Sequence, residues 1–307
     1  MSIVNTTRAV TAQSVSDTIA HLLQAYPSFR SETLGTTAFQ RPIQTLVMGS
    51  GPKKVLYTAA HHAHEWITTL ILLKFAEDYG NALKNRIPLG NTDIEALDKA
   101  VTFYMVPLVN PDGVDLVNGA VQVGDIQFEL AKRISQDYPD IPFPDGWKAN
   151  LLGVDLNLNY PAGWLTAREI KFSQGFVSPA PRDFVGTAPF NQLETQALSG
   201  YTEFIDPALI LAFHTQGQEI YWQFEDIFVP GAQELGEKLA QVSGYRLADV
   251  PYNSAFAGYK DWFIKYFRRP GYTIEAGLGT NPLPLSQFDE IYKATLPILL
   301  TAAEATL

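Results

Sequence analysis

The sequence contains no cysteine among its 307 residues. Disulfide bonds and thiolate metal sites are therefore excluded, and any metal ion has to be bound by His, Asp or Glu. Histidine is itself scarce, with five residues, of which three lie together in HHAHE at positions 61–65. Each histidine is accordingly a candidate metal ligand or catalytic group.

Basic residues are also few, since 22 Lys and Arg stand against 32 Asp and Glu and give a formal net charge of −10. Such a chain has no broad electrostatic attraction for nucleic acid or anionic lipid. It lacks any run close to the roughly 20 apolar residues that cross a bilayer, and its first residues lack the basic start and apolar segment of a signal peptide. We therefore expect a cytoplasmic protein that neither binds nucleic acid nor inserts into membranes, and the sequence predicts no oligomeric state.

Apolar residues make up 46% of the chain, which is enough to bury a large core. Apolar runs predict strands at 53–60, 101–109, 208–214 and 271–276. Helical spacing predicts helices at 14–27, 66–80, 191–204, 230–242 and 285–305. Residues 110–190, which are rich in Pro, Gly, Asn and Asp, predict long ordered loops with one short helix near 126–135. The alternation predicts a single α/β domain over 1–307, with a mixed, largely parallel, twisted sheet flanked by helices.

Polar clusters follow the predicted strands at the points where they end. The four clusters are HHAHE, NPDG, FHTQG and IEAG. Because ligands of such sheets bind beyond the carboxyl ends of the strands, we expect these clusters to converge on one edge.

The histidine-rich cluster has the spacing of a metal site. His62 and Glu65 are three positions apart, so both side chains can face one point, and His214 at the end of another apolar strand supplies a third ligand. Two His and one Glu with an open fourth position is the arrangement of catalytic zinc, which lowers the pKa of a bound water to about 7. The alternative from these residues alone is a polar cluster that solvates a strand end, with His214 a hydrogen-bonded core residue.

Further motifs occur in a fixed order along the chain. They are HAHEWIT at 62–68, NPDG at 110–113, GVDLN at 153–157, FHTQG at 213–217 and YTIEAG at 272–277. In this order, from about residue 40 to the C-terminus, the sequence resembles the M14 zinc carboxypeptidase family. The resemblance implies that family's fold and one Zn²⁺ per chain, bound by His62, Glu65 and His214. It also implies that Glu275 is the general base, which takes a proton from the zinc-bound water and passes it to the leaving amine.

Two positions depart from the pattern of that family. Leu158 stands where family carboxypeptidases have an arginine that binds the terminal carboxylate of the substrate, and a leucine cannot bind a carboxylate. Lys148 falls at the position of the arginine that polarises the scissile carbonyl, and we expect it to be catalytic because it keeps the positive charge, although not the planar fork. The alternative for Lys148 is a solvated loop cation.

The resemblance also implies a set of substrate-binding residues. Asn157 belongs to the retained substrate-binding segment, Gln216 stands where many relatives have tyrosine, and Lys260 precedes Asp261 in a wall of the leaving-side pocket. The full set of candidates is His64, Asn157, Gln216, Lys260 and Tyr252, with Tyr259 as the rival of Tyr252 for the family's mobile tyrosine.

One branch of the family shares further segments with this chain. GVDLNLNYPAGW, AGYKDWF and RRPGYTIEAGLGTNPLP resemble the γ-D-glutamyl-L-diamino acid endopeptidases, which cleave the bond between the side-chain carboxyl of D-glutamate and meso-diaminopimelate or lysine in cell-wall peptides. We therefore expect a peptidoglycan-derived peptide as substrate, with its acidic groups near Lys148 and Lys260. The alternatives are a conventional metallocarboxypeptidase, which Leu158 disfavours, a deacylase of the aspartoacylase kind and an inactive peptide-binding module.

Overall fold

The computed structural model describes residues 2–307, and these residues form an eight-stranded sheet between two layers of helices. The strands are β1 Arg30–Thr36, β2 Pro42–Met48, β3 Lys53–Ala59, β4 Val101–Val106, β5 Leu209–His214, β6 Glu219–Tyr221, β7 Arg246–Ala248 and β8 Gly271–Glu275. The helices are α1 Ala12–Ala25, α2 Ile67–Asn85, α3 Ile94–Ala100, α4 Pro111–Val117, α5 Ile126–Gln136, α6 Trp164–Ser173, α7 Leu193–Ile205, α8 Ala232–Ser243, α9 Tyr259–Phe267 and α10 Phe288–Glu304.

The strand order of the sheet is β1-β2-β4-β3-β5-β8-β6-β7. The central strands β4, β3, β5 and β8 pair in parallel. Antiparallel pairs lie towards the edges, where β2 joins β1 and β4 and where β6 joins β8. The sheet is therefore mixed and largely parallel, as the sequence predicts.

Side chains of the central strands alternate between two cores, one on each face of the sheet. In β5, Leu209, Leu211 and Phe213 enter a core with α2 and α10, whereas Ile210 and Ala212 enter a second core with α7 and α9. A strand that is covered on both faces needs apolar residues at successive positions, which explains the continuous run LILAF. The polar residues that follow this run lie at the carboxyl edge of the sheet.

The strands that the sequence analysis missed lie outside this central group. β1, with the sequence RSETLGT, has only half-buried and exposed side chains. β6 and β7 have three residues each. Neither a half-exposed edge strand nor a three-residue strand has the apolar alternation or run on which the prediction depends. β2 is not predicted either, although its residues 45–48 are buried, because its continuous apolar run is only the three residues Leu46–Met48.

The segment 110–190 contains two helices that were not predicted, α4 and α6, and α4 begins at NPDG. Asn110 Oδ1 accepts a hydrogen bond from Gly113 N at 3.1 Å, and Pro111 occupies the first turn of α4, where no intrahelical N–H is required. Asn110 Nδ2 donates to the carbonyl oxygens of His61 at 3.2 Å and Ala149 at 3.0 Å. Asn110 therefore joins the loop after β3 to the loop at residues 146–155.

No helix between residues 2 and 307 is long and apolar enough to span a bilayer. The cytoplasmic location stays a prediction.

The ring of Phe103 on β4 packs among Tyr57, Phe75 and Tyr79, with centroid distances of 5.4 to 5.8 Å. Phe103→Ala should leave a cavity and lower the free energy of unfolding by about 3–5 kcal/mol, which a denaturant titration would measure. Phe204, whose side chain is 79% exposed, provides the matched control. Phe204→Ala should change the same quantity by less than about 0.5 kcal/mol, and equal losses for the two variants would contradict the packing argument.

Candidate metal centre and active site

The polar clusters converge at the carboxyl edge of the sheet, as predicted. β3 leads into His62 and Glu65, β5 ends at His214 and β8 ends at Glu275. His214 and Glu275 are direct register partners in the parallel pair of β5 and β8. The carboxyl ends of the adjacent strands β3, β5 and β8 therefore bring the three candidate metal ligands and Glu275 close together.

His62, Glu65 and His214 form a buried group with the geometry of a metal site. His62 Nδ1 lies 2.9 Å from Glu65 Oε1, His214 Nδ1 lies 2.9 Å from Glu65 Oε2, and the two Nδ1 atoms are 3.1 Å apart. Ligand atoms of a tetrahedral zinc ion with bonds of roughly 2.0–2.1 Å are separated by about 3.3 Å, so these three donors fit. When bound there, zinc would lower the pKa of a water ligand and polarise a substrate carbonyl.

Asp155 orients one of these ligands, a role that the sequence analysis missed. His62 Nε2 donates to Asp155 Oδ1 at 3.0 Å, which leaves the Nδ1 lone pair directed at the metal position. The second oxygen, Oδ2, accepts from Lys148 Nζ at 3.1 Å. Although burial alone would raise the pKa of Asp155, the positive charges of Lys148 and His62 hold it well below its usual range. Asp155 belongs to the motif GVDLN, but nothing in the sequence around it indicates a contact with His62, which lies 93 positions away.

The protonation of the three ligands suits a cation. Burial would raise the pKa of Glu65, but His62 and His214 hold it well below its usual range, so the carboxylate stays ionised. Burial lowers the pKa of His214, which keeps that ring neutral. The carboxylates of Glu65 and Asp155 outweigh burial at His62 and raise its pKa, so a metal ion competes with a proton there in acid.

Glu275 is a half-buried carboxyl group that lines the cleft beside these ligands. Burial and the negative charge of Glu65 raise its pKa to about 8. A carboxyl group with such a pKa can accept and return a proton near neutral pH, which is the behaviour of a general base.

A cleft of about 870 Å³ opens above the ligands. Of the predicted site residues, the metal donors His62 and Glu65 and the carboxyl group of Glu275 line it, whereas His214 does not. The other predicted residues that line it are His64, Lys148, Asn157, Gln216 and Lys260. Burial lowers the pKa of His64 to about 4, and the positive charges of Lys148 and Arg182 act in the same direction. His64 therefore faces the cleft as a neutral imidazole.

Two of the predicted substrate residues are held by backbone groups. Asn157 Oδ1 accepts from the N–H of Tyr259 at 2.9 Å, and Gln216 Oε1 accepts from the N–H of Gly279 at 3.3 Å. Tyr252 lies on the surface, 67% exposed, with its ring 5.3 Å from that of Phe256. Their contacts with substrate stay predictions.

The rival of Tyr252 and the remaining histidine of the cluster lie in the core. Tyr259 is buried, and its hydroxyl group is hydrogen-bonded to that of Thr202 at 2.8 Å, so it is not a mobile tyrosine. His61 is buried, and its ring stacks on that of His214 with centroids 5.5 Å apart. The group of metal donors consists of His62, Glu65 and His214 and does not include His61.

The two cleft lysines that the sequence predicts as site residues are both ion-paired. Lys148 Nζ binds Asp155, and the carboxylates of Asp155 and Asp183 outweigh burial and raise the pKa of Lys148. Lys260 is only 4% exposed, and its Nζ donates to Asp261 at 2.5 Å and to the carbonyl of Gln223 at 2.6 Å. Lys148 is thus no solvated loop cation, and the predicted role of Lys260 in binding acidic substrate groups stays a prediction.

Leu158 is buried in an apolar cluster with Trp164, Val185 and Ala257. Leu158 also lines the cleft, to which it contributes an apolar side chain. The carboxylate-binding arginine that is expected at this position in a carboxypeptidase has no equivalent there.

Arg182 also lines the cleft, and the sequence does not predict it as a site residue. It lies in the Pro-rich segment SPAPRDF at 178–184, where neither periodicity nor a recognised motif distinguishes it from other loop cations. Asp183, which binds Arg182 Nε at 2.6 Å and Lys171 Nζ at 2.7 Å, was missed for the same reason.

Comparison with known proteins places these observations in a family. The model of the zinc carboxypeptidase family, peptidase family M14, matches residues 15–297. The chain belongs to this family. The family implies zinc as the metal, and the His62, Glu65 and His214 donors fit it. As a zinc carboxypeptidase family member, the chain is a zinc-dependent hydrolase.

Its similarity extends to characterised family members and solved structures. The chain is 41% identical over 285 residues to γ-D-glutamyl-L-diamino acid endopeptidase 1 of Lysinibacillus sphaericus, covering 92% of this chain and 69% of that one. Thrombin activatable fibrinolysis inhibitor shares the fold, with a TM-score of 0.76 and 17% identity over 98% of this chain and 75% of that one. Murein-tripeptide amidase MpaA from Escherichia coli O157 has a TM-score of 0.53 and 22% identity, covering 88% and 91%.

The hydrogen bond between Asp155 and His62 predicts that loss of the Asp155 carboxylate weakens zinc binding. Asp155→Asn keeps the shape but removes the charge that orients His62, so the affinity for zinc should fall about 10- to 100-fold. Competition with a chromophoric chelator measures this affinity. Asp17→Asn on the outer surface of α1 is the control, and an unchanged affinity in Asp155→Asn would show that His62 needs no carboxylate partner.

The raised pKa of Glu275 predicts a pH-dependent stability in the metal-free enzyme. A carboxyl group whose pKa is higher in the folded than in the unfolded state destabilises the fold as pH rises between the two values. This window runs from about 4.3, the ordinary value for glutamate, to about 8. Because Glu275→Gln removes the effect, its melting temperature in EDTA should exceed that of the unaltered protein by more at pH 9 than at pH 5.

Glu203, an exposed glutamate on α7, provides the control for this comparison. Glu203→Gln should give the same difference in melting temperature at both pH values. The same pH-independent result for Glu275→Gln would show that Glu275 ionises in the folded protein without a cost.

Proposed function

We propose that the chain is an endopeptidase that hydrolyses the γ-D-glutamyl-diamino acid bond of peptidoglycan-derived peptides, with meso-diaminopimelate or lysine as the diamino acid. The observation that carries this proposal is the 41% identity, over 92% of the chain, to the Lysinibacillus sphaericus enzyme named for that activity. The metal ligands and Glu275, described above, supply the residues that peptide hydrolysis needs.

The surroundings of Leu158 favour this activity over that of a conventional carboxypeptidase. A carboxypeptidase has to bind the terminal carboxylate of its substrate, for which a bidentate arginine is well suited. Leu158 and its neighbours Trp164, Val185 and Ala257 are apolar. A charged carboxylate placed among them would lose its hydration without gaining a partner.

The residues of the cleft have separate roles in the proposed reaction. His62, Glu65 and His214 would hold the zinc ion. Glu275 takes a proton from the attacking water as the bond between water oxygen and the γ-carbonyl carbon forms. As the bond between that carbon and nitrogen breaks, Glu275 gives the proton to the amine of the diamino acid. The products are a free γ-carboxyl group on D-glutamate and a free amine on the diamino acid.

Lys148 is assigned to the negative charge that develops on the carbonyl oxygen. Its ammonium lies in the cleft and is held 3.1 Å from Asp155, so the positive charge is positioned before substrate binds. We assign His64, Asn157, Gln216, Tyr252 and Lys260 to substrate contacts around this reacting centre.

The proposal is tested with L-Ala-γ-D-Glu-meso-diaminopimelate, with and without a following D-Ala. The zinc-loaded enzyme should release L-Ala-D-Glu, and Glu275→Gln should reduce the rate by roughly 10²- to 10⁴-fold, because it cannot accept the proton. Mass spectrometry identifies the products. Intact γ-glutamyl peptides together with removal of C-terminal residues from ordinary peptides would replace the proposal with the conventional carboxypeptidase.

A further inference from the structure

The cleft contains one cation that differs from the others in its free donors. Lys148, Lys171 and Lys260 all place their ammonium groups against carboxylates. Arg182 is also paired, through Nε with Asp183 Oδ2 at 2.6 Å, but its side chain is 43% exposed. A guanidinium has five N–H donors, and within residues 2–307 this one uses only Nε. Both terminal nitrogens are therefore available to a ligand in the cleft.

The backbone on which Arg182 stands is fixed to the metal centre. The carbonyl of Pro181 accepts from the N–H groups of Lys148 and Ala149 at 2.8 and 2.9 Å. On the other side of Arg182, the N–H of Asp183 donates to Asp155 Oδ2 at 3.3 Å. Asp155 in turn binds the metal donor His62, so the segment that carries Arg182 is held beside the metal centre.

The guanidinium of Arg182 is also held at its Nε atom. Asp183 bridges Arg182 and the buried Lys171, whose Nζ lies 2.7 Å from Asp183 Oδ1. With Nε engaged by Asp183, the planar group has its orientation restricted, and the two Nη atoms form the edge that remains for a ligand. Arg182 lines the same cleft as His64 and Glu65.

We propose that Arg182 binds the α-carboxylate of the substrate's D-glutamate and so makes the enzyme selective for peptides in which this group is free rather than amidated. The inference rests on the proposed function. In a γ-glutamyl peptide, three carbons (Cγ, Cβ and Cα of D-glutamate) separate the scissile carbonyl carbon from the α-carboxylate, whichever diamino acid follows. A carboxylate and the terminal edge of a guanidinium form a bidentate, charge-assisted pair, whereas a carboxamide offers only one oxygen and no charge. Leu158 offers this carboxylate no partner, and Lys148 is assigned to the carbonyl oxygen. Lys171 and Lys260 are buried against Asp183 and Asp261, whereas Arg182 is partly exposed and has both terminal nitrogens free.

The test compares two substrates that differ only at this group. They are L-Ala-γ-D-Glu-L-Lys and L-Ala-γ-D-isoglutamine-L-Lys, in which the α-carboxylate is a carboxamide. Lysine is used because it lacks the second carboxylate of diaminopimelate. Arg182→Ala should lower kcat/KM for the carboxylate substrate about 10- to 100-fold and change that for the amide substrate less than about threefold. Arg182→Lys, which keeps the charge but not the fork, should give an intermediate loss on the carboxylate substrate.

Two further measurements separate recognition from structure. Arg8→Ala, at an exposed position near the N-terminus, should match the unaltered enzyme on both substrates. The rise in melting temperature on adding zinc should be the same in Arg182→Ala as in the unaltered enzyme, because Arg182 is not a ligand. If Arg182→Ala does not fold, the ratio of the two substrates for Arg182→Lys gives the same test.

Each other outcome has a defined meaning. Equal losses on the two substrates, or no loss on either, would overturn the role of Arg182 while leaving the proposed function in place. A loss seen only with diaminopimelate in place of lysine would assign Arg182 to the second carboxylate of that residue and overturn the inference as stated. Failure of the unaltered enzyme to cleave either peptide at the γ bond would overturn the proposed function and this inference together.

Discussion

A buried carboxylate, that of Asp155, connects the metal ligands to the loops that form the cleft. One oxygen binds His62 and the other binds Lys148 and the backbone N–H of Asp183. A fully buried charge is costly unless it is paired and hydrogen-bonded, and here both oxygens have partners. The positions of a metal ligand, a cation and a loop segment thus depend on one ionised group.

Charges alternate outward from this carboxylate. Glu65 and Asp155 flank His62, Lys148 lies beyond Asp155, and Asp183 lies beyond Lys148 between two more cations. Each buried charge therefore has a neighbour of opposite sign. Glu275 differs in that it belongs to none of these ion pairs, and burial and the negative charge of Glu65 raise its pKa by more than His62 and Lys148 lower it. Glu275, the group proposed to exchange protons, is thus held in surroundings that favour its neutral form.

The sequence predicts the parts of this site that local patterns encode. His62 and Glu65 are candidate ligands from their spacing and His214 from its place at the end of an apolar strand, whereas the role of Glu275 is implied by the resemblance to the family. Asp155 and Arg182 have no such signal, because their roles arise from contacts between loops that are far apart in the chain. Lys260 shows the related difficulty that its residue type suggests a free cation, whereas burial and Asp261 make it an internal ion pair.

The same distinction applies to the fold. The central strands are covered on both faces and have apolar runs, so they are predicted within a few residues, whereas the half-exposed β1 is not. NPDG has the composition of a loop, yet Asn110 and Pro111 make it a helix start. Turn-forming residues and helix-capping residues are the same types, and only the residues that follow distinguish the two uses.

The distance along the chain between the metal ligands has a consequence for folding. His62 and His214 are 152 positions apart, so an ion bound to both closes a loop that spans half of the protein. Cross-links that close long loops reduce the entropy of the unfolded chain the most in theory. In a chain without cysteine, the metal thereby acts as the cross-link that a disulfide provides elsewhere. Zinc-starved cells would then hold an enzyme that is easier to unfold and degrade, so that metal supply governs its abundance as well as its chemistry.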